Sequence, residues 1–298
     1  MSDTAARLRA KIASAGELGS VVRTMKAIAA SSIGQYENAV RSLDDYDRTV
    51  QLGLAASLRQ GEPPGATARA RSGDKAAIGA VVFGSDQGLV GRFNEAMAEF
   101  VANALRKLPG RKTVWAVGER IHAHLADADL APRERFVVPN SIGAITPLVG
   151  QILAEMDTHR EKGEVAQIYL FHNRPEAGAT YAPVSQLLLP LDDAWRRGLR
   201  AIRWPTVNLP EVMNDAHRTL AAFVREYLFV SLFRACAESL ASENASRLAA
   251  MQRAEKNIDE LLEGLNRSFH RLRQSGIDEE LFDVVSGFEA LTPSQARP

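Results

Sequence analysis

After Pro210 the chain runs to Pro293 without another proline, and helix formers dominate the interval. A helix over Glu211–Phe288 would be roughly 115 Å long at ~1.5 Å per residue, too long to fit inside a compact domain of this size. Its apolar residues recur at helical spacing, first Leu220, Val224, Tyr227 and Leu228. Met251, Ala254, Ile258, Leu261, Leu265 and Leu272 follow in steps of three and four, the pattern of a coiled-coil seam. A long helix gains most of its stability by packing such a stripe, so this one needs a partner.

Residues 4 to about 59 supply it. Leu8, Ile12, Ala15, Val22, Met25, Ala29, Ile33, Tyr36, Val40, Leu43, Val50, Leu54 and Leu58 keep the same rhythm, and no proline precedes Pro63. Asp3 or Thr4 is the expected N-cap. Gly16, Gly19 and Gly34 are expected where a second backbone comes close, since each costs a helix interior about 1 kcal/mol. The breaker Gly61-Glu-Pro-Pro-Gly65 ends the helix and opens a polar linker to about Asp74.

The middle, about 75–205, reads as an α/β layer. Ala76–Gly84 is a short, continuously apolar run, as doubly buried strands are. Further strands are expected at Lys112–Val117, Arg135–Val138, Val165–His172 and Val184–Leu189. Helices are expected at Asn94–Leu108, at Arg120–Ala126 and from Pro147 to Lys162, the last capped by Thr146. Strands alternating with helices imply a mostly parallel sheet. Trp195–Pro210, with its two prolines, reads as a linker. The expected division is therefore 1–60 N-terminal helix, 61–74 linker, 75–205 central domain and 206–298 C-terminal helix and tail.

Two long helices that leave one small domain and return to it can pair only antiparallel. Aligning them near Leu58 and Glu211 sets Met25 opposite about residue 244 and Thr4 opposite about residue 265. Beyond that point the C-terminal helix has no partner, yet it carries Phe269, Leu272, Leu281, Val284, Val285 and Phe288. Such a tip is either frayed or folded back, or it is clasped by another protein.

Composition narrows the function. Thirty-six basic and 36 acidic residues cancel, which argues against binding to nucleic acid backbones. The single cysteine, Cys236, excludes an internal disulfide and suits a reducing compartment. Neither a signal core nor a run of ~20 apolar residues is present.

Several segments resemble the gamma subunit of F-type ATP synthases. Glu238–Arg247 (ESLASENASR), continuing through Met251, is similar to that family's C-terminal helix. So are Arg273-Gln-Ser-Gly-Ile277 and Asp283-Val-Val-Ser-Gly287. Arg23-Thr-Met-Lys-Ala-Ile-Ala-Ala-Ser31 resembles its Met-Lys-bearing helix, and Ser85–Asn94 (SDQGLVGRFN) its glycine-rich loop. The resemblance implies an antiparallel two-helix shaft around a central Rossmann-like α/β domain. It also implies a central-stalk rotor without catalytic residues, cofactor or metal, peripheral to the cytoplasmic face of the cell membrane. The implied partners are the alpha and beta subunits of the catalytic ring, the epsilon subunit and the membrane c-ring. The implied subunit contacts are Met25, Lys26, Glu243, Arg247, Arg273 and Gln274. Against the family pattern, basic residues are missing after Ala30-Ser31, Gly16-Glu-Leu-Gly19 replaces polar residues, and Asp278 replaces a threonine. These departures suggest a divergent, alternate-type branch.

Other readings explain less. The loop at 84–91 follows a strand, but it lacks a Gly-Lys-Ser/Thr end and its glycines do not fit G-x-G-x-x-G. His122 and His124 lie two apart on a helix and face apart, a poor metal pair. Ser85 has no G-x-S-x-G setting. A coiled-coil adaptor with an α/β head would account for the helices, and an enzyme built on the sheet for the middle; neither accounts for the four motifs together.

Overall fold

The computed structural model describes residues 2–60, 77–176, 180–191, 193–208, 210–211 and 215–291. The expected linker at 61–74, with its Gly61–Gly65 breaker, lies outside the described residues. Internal contacts divide the chain into two units. Residues 29–248 form one, and residues 1–28 with 249–298 the other.

The 29–248 unit is built on a five-stranded sheet ordered β3-β2-β1-β4-β5. In chain order the strands are β1 (Ile78–Phe83), β2 (Lys112–Val117), β3 (Glu134–Phe136), β4 (Gln167–Glu176) and β5 (Thr180–Leu189). The first four pair in parallel, and β5 runs antiparallel to β4. The apolar run at β1 follows from its central place. Successive side chains alternate between faces, and both faces are covered. Ile78, Ala80 and Val82 meet one apolar cluster, with Met97, Val101 and Leu105 of α2 (Phe93–Arg106) and Ile121 and Leu125 of α3 (Glu119–Asp127). Val81 and Phe83 meet the other. That second cluster contains α4 (Ile145–Glu161), Leu199 of α5 (Asp193–Ala201), Val50, Leu54 and Leu58 of α1 (Ser2–Gln60), and Tyr227–Ala241 of α6 (Ala216–Leu291). The long helices thus complete the core of this unit instead of merely leaving it.

The structure corrects several expectations. α1 already begins at Ser2, so Asp3 and Thr4 lie inside its first turn and are not the cap. α4 is entered through a 3-10 turn at Ile142–Ala144, and no side-chain bond caps it, so Thr146 has no such role. The segment read as a linker contains α5, whose Trp195 rings against Tyr227 at 5.1 Å. The prolines of that segment lie outside the helix, and three arginines among its residues obscure the apolar side. β4 and β5 are longer than expected and run through Pro175 and Pro183. A sheet tolerates proline where no ladder bond is needed. β1 pairs with β4 only as far as Phe171, and β5 is an edge strand.

The other unit pairs the first part of α1 with the last part of α6. Val22, Met251 and Ile258 form its buried seam, with Met25, Ala254 and Leu262 packed against them. Lys26 pairs with Glu255, and the Arg9 guanidinium lies 5.1 Å from the Phe269 ring centroid, so the helices are antiparallel. A Cβ on Gly19 would stand 3.3 Å from Ile258 Cγ2, whereas Gly16 has nothing within 4 Å, and neither does Gly34 of the other unit. Close approach therefore accounts for Gly19 alone of the three.

Three more expectations change. Met25 packs on the cluster of Val22, Met251 and Ile258, about two turns beyond the residue 244 expected. Leu261 is 53% exposed, and Leu262 takes its place in the seam. Since Arg9 still meets Phe269, pairing reaches past residue 265. The exposed apolar residues of the tip start instead near Ile277 and include Leu281, Phe282, Val284 and Val285.

Candidate functional site

The Glu238–Arg247 segment of α6 is unusual for a helix buried in a core, because most of its residues are polar. Glu238, Ser239, Ser242, Glu243, Asn244 and Ser246 are all buried. Buried polar groups are tolerable when bonded, and most of these are. Glu238 accepts from His172 Nε2 at 2.8 Å and from Arg174 Nε at 3.2 Å, both on β4. Ser242 Oγ donates to the Asn173 carbonyl at 3.1 Å, and Ser246 Oγ to the Val90 carbonyl at 2.6 Å. The motif therefore clips α6 to β4 and to the glycine-rich loop.

That loop is itself a knot of internal bonds. Asn94 Oδ1 accepts from the Ser85 amide, and Asn94 Nδ2 donates to Ser85 Oγ. The two Asp86 carboxylate oxygens accept from the amides of Glu119 and Val138, both at 2.9 Å. Asp86 thus does for α3 what its own Gly118 N-cap, having no side chain, cannot. Ser85 and Asp86 are thus engaged in packing the loop against α2, α3 and the chain after β3. No group of three or more His, Cys, Asp or Glu among the described residues is placed to hold a metal, His122 and His124 included. Burial pushes the Cys236 thiol far up, which leaves it an inert small apolar side chain.

The expected contact residues fall in both units. Met25 and Lys26 belong to the 1–28/249–298 unit, where Met25 borders the seam and Lys26 is tied to Glu255. Arg273 and Gln274 are exposed on the same unit. Glu243 and Arg247 belong to the α/β unit, where they pair at 2.6 Å. They line a pocket of about 210 Å³ with Ser32, Tyr36, Asp86 and Asn140. Burial raises the Glu243 carboxyl, with Asp86 adding to the rise and Arg247 opposing it. Burial likewise raises Tyr36, helped by Cys236 and Glu243. Sequence reasoning singles out the ESLASENASR segment but misses that Glu238, Ser242 and Ser246 hold the fold. The alternation of polar and small residues on a helix otherwise rich in leucine is the available signal.

The Glu238 clasp has a pH signature. Burial alone would raise this carboxyl, but the bond and charge of His172 and the charge of Arg174 outweigh it, and the net shift is downward. A carboxyl lowered in the folded state stabilises fully above the ordinary carboxylate range, and that contribution is lost as pH falls through the folded value. Glu238→Gln is expected to cost about 2 kcal/mol at neutral pH. The cost should shrink in acid, as followed by urea unfolding across pH. An equal loss at every pH would contradict the assignment.

Comparison with known proteins agrees with this architecture. A family model described as ATP synthase matches residues 4–291. The ATP synthase gamma chain of Polynucleobacter asymbioticus is 24% identical over 289 residues, covering 95% of this chain and 98% of the relative. That of Cupriavidus necator is 26% identical over 291 residues, with the same coverage. Among solved structures, a chain of the Euglena gracilis mitochondrial ATP synthase (OSCP, F1 and c-ring in rotational state 3) aligns over 100% of both chains, with a TM-score of 0.67 and 15% identity. The structural likeness shows the fold, and the sequence match over nearly the whole length shows the family: the chain belongs to the ATP synthase family, among its gamma chains.

Proposed function

We propose that this chain is the central-stalk rotor of an F-type ATP synthase, a mechanical subunit that does none of the nucleotide chemistry itself. The observation that carries the reading is the end-to-end match to gamma chains, at 98% of their length, by a chain whose paired long helices reproduce a coiled-coil seam. In this role the paired helices stand within a ring of alpha and beta subunits. The α/β unit sits against the epsilon subunit and the c-ring, on the cytoplasmic face of the membrane. No helix among the described residues is long and apolar enough to cross a membrane, which fits a peripheral place. Rotation biases the ring because a lopsided surface contacts its alternative states unequally.

Met25, Lys26, Arg273 and Gln274 are the proposed contacts on the helix pair. Lys26, Arg273 and Gln274 suit contacts that must break at every turn, being polar groups at the surface worth ~1 kcal/mol or less, and Met25 adds an apolar one. Glu243 and Arg247 act together in this proposal: the buried carboxylate holds the guanidinium at the pocket rim, and the arginine meets the ring. Affinity purification from membranes through a tag on this chain tests the assignment. Alpha, beta, epsilon and c subunits should co-purify, with one copy of this chain per assembly. Recovery of the chain alone, or in several copies per assembly, would refute it.

A further inference from the structure

Within the 29–248 unit, α5, β5, the later part of α1 and the first part of α6 enclose a cleft of about 490 Å³. That volume is in the range of small-molecule sites. Its apolar lining is centred on Trp195 and Tyr227, whose rings meet edge to face at 5.1 Å, with Leu199, Ile202 and Val230 nearby. Its neutral polar lining is largely unspent. Among the described residues the side chains of Gln51 and Ser231 make no hydrogen bond, and Gln186 uses only its amide nitrogen, donated to the Tyr227 hydroxyl at 3.2 Å. The charged lining, by contrast, is spent: Arg234 pairs with Asp47 at 3.2 Å and, beyond the cleft, with Asp44 at 2.8 Å. Gly198 borders the same space. A glycine weakens the interior of a helix as short as α5, yet nothing stands within 4 Å of where its Cβ would be. No crowding requires the glycine; its effect is to widen the cleft.

We propose that this cleft binds a neutral aromatic small molecule carrying both a hydrogen-bond donor and an acceptor, of the aryl amide class. A flat ring can stack on one of the two paired aromatic side chains and meet the edge of the other. The polar end of the ligand then finds the Tyr227 hydroxyl proton, the Ser231 hydroxyl and the Gln51 amide, which together both donate and accept. A charged ligand would give up its hydration and find no free counter-charge, because Asp47 and Arg234 already satisfy each other. A bound ligand touches four elements at once and holds α5 against both long helices. It therefore stabilises the folded chain in step with its concentration. The site lies inside one unit and does not depend on the rotor reading.

The test uses the full chain with its three tryptophans replaced by fluorotryptophan and followed by fluorine NMR. A Trp195→Phe sample identifies the Trp195 resonance. Naphthamide, the neutral probe, should move that resonance to saturation and leave Trp115, sealed in the core, unmoved. Its charged counterparts, naphthylmethylamine and naphthoate, should need roughly tenfold higher concentrations for the same shift. Gly198→Leu fills the cleft from α5 and should abolish the shift while melting no lower than the wild type, since leucine is the better helix former. Ser231→Leu fills the cleft from α6 and should abolish the shift without any change in α5. Absence of a saturable Trp195 shift up to about 1 mM naphthamide would overturn the inference. Equal or tighter binding of either charged counterpart would also overturn it, as would equal shifts at all three tryptophans or binding retained in either leucine variant.

Discussion

Ile258→Asp combined with Leu262→Asp is expected to unzip the paired helices of the 1–28/249–298 unit and to abolish coupling between ATP hydrolysis and ion pumping. Ile258 is 7% exposed and packs with Val22 and Met251, and Leu262 closes the same cluster. An aspartate in that seam loses the apolar contact and places a carboxylate among Val22, Met251 and the side chains packed on them. The cost should be about 3 kcal/mol or more per site. Neither helix segment is stable without its partner stripe, so the loss should spread along both. Amide hydrogen exchange is the measurement: protection should collapse over residues 5–28 and 249–276 and persist in the sheet. Leu261→Asp, placed on the exposed flank, should leave that protection intact. If Leu261→Asp were as damaging as Ile258→Asp, the seam as described would be wrong.

Gly118→Ala should strongly destabilise the α/β unit. Gly118 has φ +122, a region L side chains rarely adopt, and an added Cβ would stand 2.7 Å from the Ser85 carbonyl oxygen. Strain of this kind costs about 1–3 kcal/mol, and here the clashing atoms are backbone, which cannot swing aside. The Gly118 amide also donates to the Phe136 carbonyl, and the Ser85 carbonyl accepts from Arg120. A shift would thus propagate to the β3 edge, to α3 and to the glycine-rich loop. Thermal unfolding should show a drop of several degrees for this unit. Unchanged melting would mean that the turn adopts another conformation.

Much of this architecture is legible in the amino-acid sequence. The three-and-four rhythm from Leu8 to Leu58 identifies Ala15, Val22, Ala29, Tyr36, Val50, Leu54 and Leu58 as buried positions of α1, because helical periodicity is a local property and the stripe is long. It misses Gly19, Ala55, Ala56 and Ser57. The doubly buried β1 is equally plain from its uninterrupted apolar run. Register is a different matter. Periodicity and helix length set Met25 two turns from its true neighbours, because a repeating seam fits itself at many offsets and only tertiary contacts choose among them. The same ambiguity favours Leu261 over Leu262. α5 is hidden because its apolar face is short, with Trp195 and Leu199 set among arginines.

Of the candidate site, the motif residues are legible but not their division of labour. Glu238, Ser242 and Ser246 bond to β4 and the loop at 85–94, partners 64 or more residues away in sequence. Nothing local marks them as fold-holding. Glu243 carries the same lesson, since its carboxylate is buried beside Arg247 and not presented at the surface.

The central claim is that this chain turns inside a ring. Single-molecule observation tests it most directly, with the ring fixed to a surface and a bead attached to the α/β unit of this chain. On addition of ATP the bead should rotate continuously in one direction, and the motion should cease in the Ile258→Asp/Leu262→Asp variant while the ring still hydrolyses ATP. A bead that stays still, or that only fluctuates to and fro, while the wild-type complex hydrolyses ATP would contradict the account.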